Sequence, residues 1–237
     1  MKKIDLVLVV WCVVSVIFWG GYWLVSGQFI PFVVYFPLWL GIVGSLTWRY
    51  RADIESRLQR WRANRFAKFV VLGFAMVFFE EIFAALANHL REEFSPAVYL
   101  ARIGQFWALN FFTFAGFIVG WFLLSKYIRF TRREVFYLAG IWGLFAEKII
   151  FALVTNPAFF VFTAVPIVFT YGLIIAPAML SQWSEINDTY RRRLHPAVKY
   201  PLVYALIFVC SLLPILILMT LREQWPFLFP PPEMVPL

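Results

Sequence analysis

Charge is scarce in this chain: Asp, Glu, Lys and Arg make up 14% of its 237 residues, against about a quarter in an ordinary soluble domain. Too little polar surface is available to cover a core in water, which excludes most soluble enzymes. Histidine and cysteine are nearly absent, with two of each. Cys12 and Cys210 cannot staple a secreted module and fall within apolar runs as small fillers. So few His and Cys, far apart, exclude a zinc or haem site, and no glycine-rich phosphate loop occurs. No metal and no cofactor are therefore expected. What is abundant is apolar: 62% of residues, with 28 Phe, 11 Trp and 10 Tyr, and a mean hydropathy of +0.78.

A membrane-crossing helix needs about 20 mostly apolar residues, and seven such runs can be drawn: Ile4 to Val25, Phe29 to Trp48, Phe66 to His89, Ile103 to Tyr127, Val135 to Val154, Ala158 to Gln182 and Val198 to Leu221. None alternates as a barrel strand does. The expectation is an all-α, multi-pass protein of the cell membrane, one domain over 1–237. The first run follows Lys2 and Lys3 but is too long for a secretory signal and lacks a small-residue cleavage site, so it reads as a retained helix. No lysine lies within the last helix, as a retinal Schiff base would require, since Lys199 stands at its inner entrance.

Seven spans put the two ends on opposite sides. Placing the N-terminus in the cytoplasm puts 17 of the 21 basic residues inside and only Arg91, Arg102 and Arg222 outside, with Lys148 in the membrane; the C-terminus is then external. The net charge of +8 thus follows from topology, and nucleic acid is not expected as a partner. Within 49–65, Ile54, Leu58 and Trp61 recur at helical spacing among arginines, and Arg51 and Glu55 can pair. This segment reads as an amphipathic helix on the inner leaflet, with membrane lipids, anionic headgroups above all, as its partners; a solvated connector or a protein-docking helix are the alternatives. The tail over 222–237 is rich in proline and aromatics and either rests at the outer interface or covers the outer mouth of the bundle. Asn187-Asp188-Thr189 matches a glycosylation acceptor but falls in an inner loop.

An internal repeat offers the most informative pattern. Phe69 to Leu86 aligns with Phe136 to Leu153 at an offset of 67, superposing Gly73 on Gly140 and Glu80 on Glu147. Helices three-four and five-six would then be tandem copies related by an axis along the membrane normal. Glu80 and Glu147 both lie 14 or 15 residues above the inner ends of their helices, about 21 Å into a core of about 30 Å. Ionised groups at such depth cost at least about 2.5 kcal/mol each. Glu80, Glu81, Glu147 and Lys148 are therefore the candidate site, with Lys148 pairing to Glu80 or Glu81 as one arrangement. Asn110, Thr113, Gly116 and Gly120 form a stripe on helix four, Thr163, Pro166, Thr170 and Pro177 another on helix six, and Asn88 shares a face with Glu81. Such stripes serve either as a site lining or as packing seams.

Glu80-Glu81 resembles the first motif of the CAAX-protease and bacteriocin-processing family of intramembrane glutamate proteases, with Ala85 in place of that motif's arginine, Phe106 to Asn110 in place of its Phe-x-x-x-His, and no counterpart of its third. Glu80-Glu81 to Asn88 and Glu147 to Asn156 are similar, more loosely, to the tandem acidic motifs of membrane carotenoid cyclases. Either resemblance implies an enzyme in which Glu80, Glu81 and Glu147 do acid-base chemistry on a lipid, isoprenoid or membrane peptide. The residues themselves leave three functions open: binding or transport of a small cation, proton-coupled solute or lipid headgroup; such an enzyme, with a hydrophobic or lipid-like ligand; or a non-catalytic membrane subunit with structural charges. They set no oligomeric state.

Overall fold

The structure, a computed structural model, describes residues 3–91, 94–183 and 192–229. The sequon at 187–189, Arg191 and the tail from 230 onward lie outside the described residues. Among the described residues there is no β-strand, only an isolated bridge between Ile128 and Arg192. The helices are α1 (Lys3–Ser26), α2 (Phe32–Phe36), a wide π turn (Pro37–Gly44), α3 (Ser45–Arg49), α4 (Arg51–Arg60), α5 (Arg65–His89), α6 (Pro96–Tyr127), α7 (Arg132–Ala146), α8 (Ile149–Thr155), α9 (Pro157–Leu180) and α10 (Pro196–Gln224). Among the described residues six spans are long and apolar enough to cross a membrane, with α2 to α3 counting as one, and α7 and α8, bent by 65° at their junction, meet that test only as a pair. Large apolar side chains face outward along α1 and α10, among them Val7, Ile17, Phe208, Leu213 and Leu216. This is the arrangement of a helical membrane protein, whose outer solvent is hydrocarbon.

Several boundaries follow directly from the sequence. Pro37 carries no amide hydrogen, and the helix opens into the π turn from that residue on. Asn64 caps α5 by accepting from the amides of Phe66 and Ala67, and Thr131 with Glu134 forms a capping box on α7. Pro96 starts α6 a full two turns earlier than hydropathy alone indicates, because proline is tolerated at a first helical position.

Helix α9 is the central element and touches α1, α5, α7 and α8. Its Pro166 removes the hydrogen bond that the Phe162 carbonyl would accept, and the Trp19 indole of α1 donates to that carbonyl at 3.1 Å. The core is aromatic: Phe36, Trp39, Phe69, Phe117, Trp121 and Phe130 are all buried below 2% exposure. Helix α6 packs most extensively on α10, and Gly116 is the reason, since a Cβ there would run into the backbone of Ser211. The two glycines of the helix-four stripe are thus a packing seam, Gly120 closing on Ile207.

The amphipathic segment is helical only over α4, with Ile54 and Leu58 half-buried and its arginines exposed. Arg51 does not pair with Glu55 as expected. It stacks 4.5 Å from the Trp48 ring and donates to the Trp48 carbonyl, while Glu55 takes Arg132 at 2.8 Å. At the opposite end, α10 continues to Gln224, and the residues after it fold back: Phe229 is buried against Phe112, and the Gln105 amide donates to the Phe227 carbonyl. The described start of the tail therefore covers the first half of α6, while Trp225 and Phe227 remain exposed.

Candidate functional site

Helix α5 places Glu80 and Glu81 one after the other, so that they point about 100° apart and meet different neighbours. The Tyr35 hydroxyl of α2 donates to Glu80, and the Asn110 amide of α6 donates to Glu81. Both carboxyls are buried, at 6% and 8% exposure. Glu147 ends α7, and one of its oxygens accepts the Tyr171 hydroxyl of α9 at 2.6 Å. Gly143, one turn earlier, makes this possible, because a Cβ there would collide with the Tyr171 ring. Tyr171 stacks in turn on Phe114 of α6.

The three carboxyls lie within electrostatic reach of one another, and Tyr171 within reach of all three. No lysine, arginine or histidine among the described residues pairs with any of them. At the end of the bundle where α7 and α10 begin the pattern is different. There Asp5 pairs with Arg133, Glu55 with Arg132 at 2.8 Å, and Glu134 with Lys199 at 2.5 Å. Cations neutralise Asp5, Glu55 and Glu134 at that end of the bundle, whereas neutral hydroxyl and amide groups hold Glu80, Glu81 and Glu147.

Lys148 does not fill the role of counter-charge. The span drawn from Val135 to Val154 is broken at this residue, which stands in the left-handed region at φ 56° between α7 and α8. The turn carries Lys148 to the exposed surface, where its ammonium makes no hydrogen bond or ion pair among the described residues. Pairing with Glu80 or Glu81 is thereby ruled out in this conformation. Asn88 and Thr113 also stay apart from the carboxyls: Asn88 donates to the Ala84 carbonyl and Thr113 to the Leu109 carbonyl, each within its own helix. Among the described residues, no group of three or more His, Cys, Asp or Glu side chains is placed to hold a metal ion.

Sequence reasoning missed both tyrosines. Tyr171 is a hydroxyl well inside an apolar span rather than at an interface where membrane tyrosines concentrate, and that depth was the available signal; Tyr35, the fourth residue of the span Phe32–Arg49, offered none. It missed as well that Thr163 and Thr170 of α9 are buried, the Thr163 hydroxyl with no hydrogen-bond partner. Thr170 neighbours the Tyr35 phenol, so a further hydroxyl borders the carboxyl group. No protein-family model matches this chain, and no curated protein or solved structure is similar enough to be set beside it.

Proposed function

We propose that the chain is a seven-span protein of the cell membrane, with its N-terminus in the cytoplasm and its C-terminus outside, whose Glu80, Glu81 and Glu147 form an intramembrane site that binds and passes on protons in the uptake or release of a small polar solute. One observation carries this reading: Glu80, Glu81 and Glu147 are each held by a neutral partner, while Asp5, Glu55 and Glu134 are matched to cations. Glu80 and Glu81 are buried carboxyls with no counter-charge, which is costly when ionised, and taking up a proton removes that cost. A tyrosine hydroxyl or asparagine amide can then hold either form, donating to the carboxylate or, by way of its oxygen, accepting from the acid.

The break at Glu147 fits the same reading. Transport sites are commonly built where a spanning helix is interrupted, since its terminal carbonyls then face a polar path. The Thr170 hydroxyl beside Tyr35 gives that path a further polar wall. A purely structural network would instead need a cation inside the cluster, and Lys148 is elsewhere.

The orientation rests on the basic loops and on the three edge ion pairs, which tie the starts of α1, α7 and α10 to α4 on one face. On that face α4 lies along the inner leaflet with its arginines toward anionic headgroups. The tandem repeat is supported by its aligned glycines, each of which closes on the following helix, Gly73 on Ile118 and Gly140 on Val168.

The test is proton flux. Vesicles of phosphatidylcholine and phosphatidylglycerol containing the protein and an internal pH dye should acidify faster than empty ones under a potassium-diffusion potential. Glu80→Gln and Glu147→Gln, each eluting as a folded protein, should lose that flux. Equal flux in both variants and the parent would contradict the reading.

A further inference from the structure

Phe145, Ala146, Glu147 and Lys148 are all exposed, although they stand between two halves of one span. The 65° bend explains this. Beyond it α8 packs on α7 and α9, while α10 follows α6. The Trp142 and Phe145 rings still meet Tyr204 of α10, and the break comes directly after them. The turn at Glu147 and Lys148 is therefore left uncovered.

Lys148 is the one non-glycine residue with a positive φ among the described residues. Glycine would hold that conformation at little cost, so a lysine kept there points to a use for its side chain. The ammonium makes no hydrogen bond or ion pair with any described residue. Glu147 beside it spends one carboxyl oxygen on the Tyr171 hydroxyl and leaves the other without a partner among the described residues. The titratable groups that face Glu147 are Tyr171 of α9 and, within electrostatic reach, Glu80 and Glu81 of α5. Helix α8 carries none, and α10 brings only Tyr204, against Phe145. Lys148 is thus the single positive charge among the described residues of this turn.

An anion drawn to that ammonium lies next to Glu147. The ionised carboxylate repels it, whereas the protonated acid donates a hydrogen bond to it. Proton and anion therefore favour each other's binding, and the effect is reciprocal. Carried together they move no net charge, so the transmembrane potential does not oppose them. A lone ammonium is a point charge without the planar fork that suits phosphate, and it matches a monovalent carboxylate.

We propose that Lys148 and Glu147 together bind the carboxylate of a small solute that travels with one proton. The inference rests on the proton-passing reading of Glu147 and names the solute class for it. Full-length protein in neutral detergent should be offered lactate or pyruvate, both ionised across the pH range used, at an ionic strength held constant with chloride. Binding is read from the rise in unfolding temperature. At least one of the two should bind, roughly tenfold more tightly in mildly acidic than in alkaline buffer. Glu147→Gln, neutral at every pH, should bind equally in both buffers. Lys148→Gly, which relieves the left-handed backbone and so keeps the fold, should bind roughly tenfold more weakly than the parent. Lys148→Arg and Lys126→Gln, the latter at the far end of α6, should bind as the parent does.

No binding of either carboxylate, binding without pH dependence, or binding that survives Lys148→Gly overturns the inference. So does stabilisation by phosphatidylglycerol and by neither carboxylate, which would assign Lys148 to a lipid headgroup. Proton flux in vesicles without carboxylate binding refutes this inference and leaves the proton-passing reading standing. Carboxylate binding with the expected pattern but no proton flux does the reverse.

Discussion

Tyr171 reaches from the middle helix of the bundle to Glu147, at the point where the neighbouring span breaks, and donates its hydroxyl across 2.6 Å. Glu147 is thus held by a neutral hydroxyl, while Lys148, expected to pair with Glu80 or Glu81, stays apart. Tyr171→Phe should therefore lower stability by about 1 kcal/mol, the net worth of one hydrogen bond, as read by thermal unfolding in detergent. Glu147→Gln keeps an acceptor for the same hydroxyl and should cost less. A larger loss for Glu147→Gln than for Tyr171→Phe would point to a cation partner instead.

Lys148 carries a left-handed backbone without a side-chain partner. That conformation costs a residue with a Cβ roughly 1–2 kcal/mol, and glycine almost nothing. Lys148→Gly should leave the unfolding temperature unchanged or raised, and Lys148→Ile should lower it. A marked loss on Lys148→Gly would mean that the ammonium is paired.

Gly116 and Gly104 lie on the same helix but meet different surroundings. A Cβ at Gly116 would strike the Ser211 backbone, while one at Gly104 would meet nothing within 4 Å. Gly116→Ala should thus loosen α6 from α10 and destabilise by roughly 1–3 kcal/mol, as overpacked sites do. Gly104→Ala should be neutral or slightly stabilising, since alanine favours the helix by up to about 1 kcal/mol.

The topology has its own readout. With Cys12 and Cys210 replaced by alanine, a single cysteine at Ser56 on α4 should react with a membrane-impermeant thiol reagent only from the cytoplasmic side, and one at Phe227 only from outside. Labelling of both from one side would reverse the parity of the spans.

The spans were legible because hydropathy alone sets them. Ile4 to Val25 is observed as Lys3–Ser26 and Phe66 to His89 as Arg65–His89, each within a residue or two. The beginning of α6 was misplaced by two turns, because Tyr99 and Arg102 lower the local hydropathy while Pro96 starts the helix regardless. The break at Lys148 was hidden for a different reason. No proline or glycine marks residues 144–151, and the turn depends on what α7 and α8 meet on α9. The site was half visible: depth singled out Glu80, Glu81 and Glu147, and the polar stripe singled out Asn110. The partners Tyr35 and Tyr171 come from helices far away in sequence, and pairing across such distances leaves no periodic trace. Lys148, Asn88 and Thr113 were chosen for chemistry and nearness along the chain, and each satisfies itself elsewhere or stays unpaired.

The most direct test of the central claim is the infrared carbonyl stretch of protonated carboxylic acids, recorded on the protein in lipid at neutral pH. The account predicts acid bands that disappear one at a time in Glu80→Gln, Glu81→Gln and Glu147→Gln and that shift when Tyr35 or Tyr171 is replaced by phenylalanine. A spectrum with no protonated carboxyl band, unchanged by all three glutamine substitutions, would contradict it.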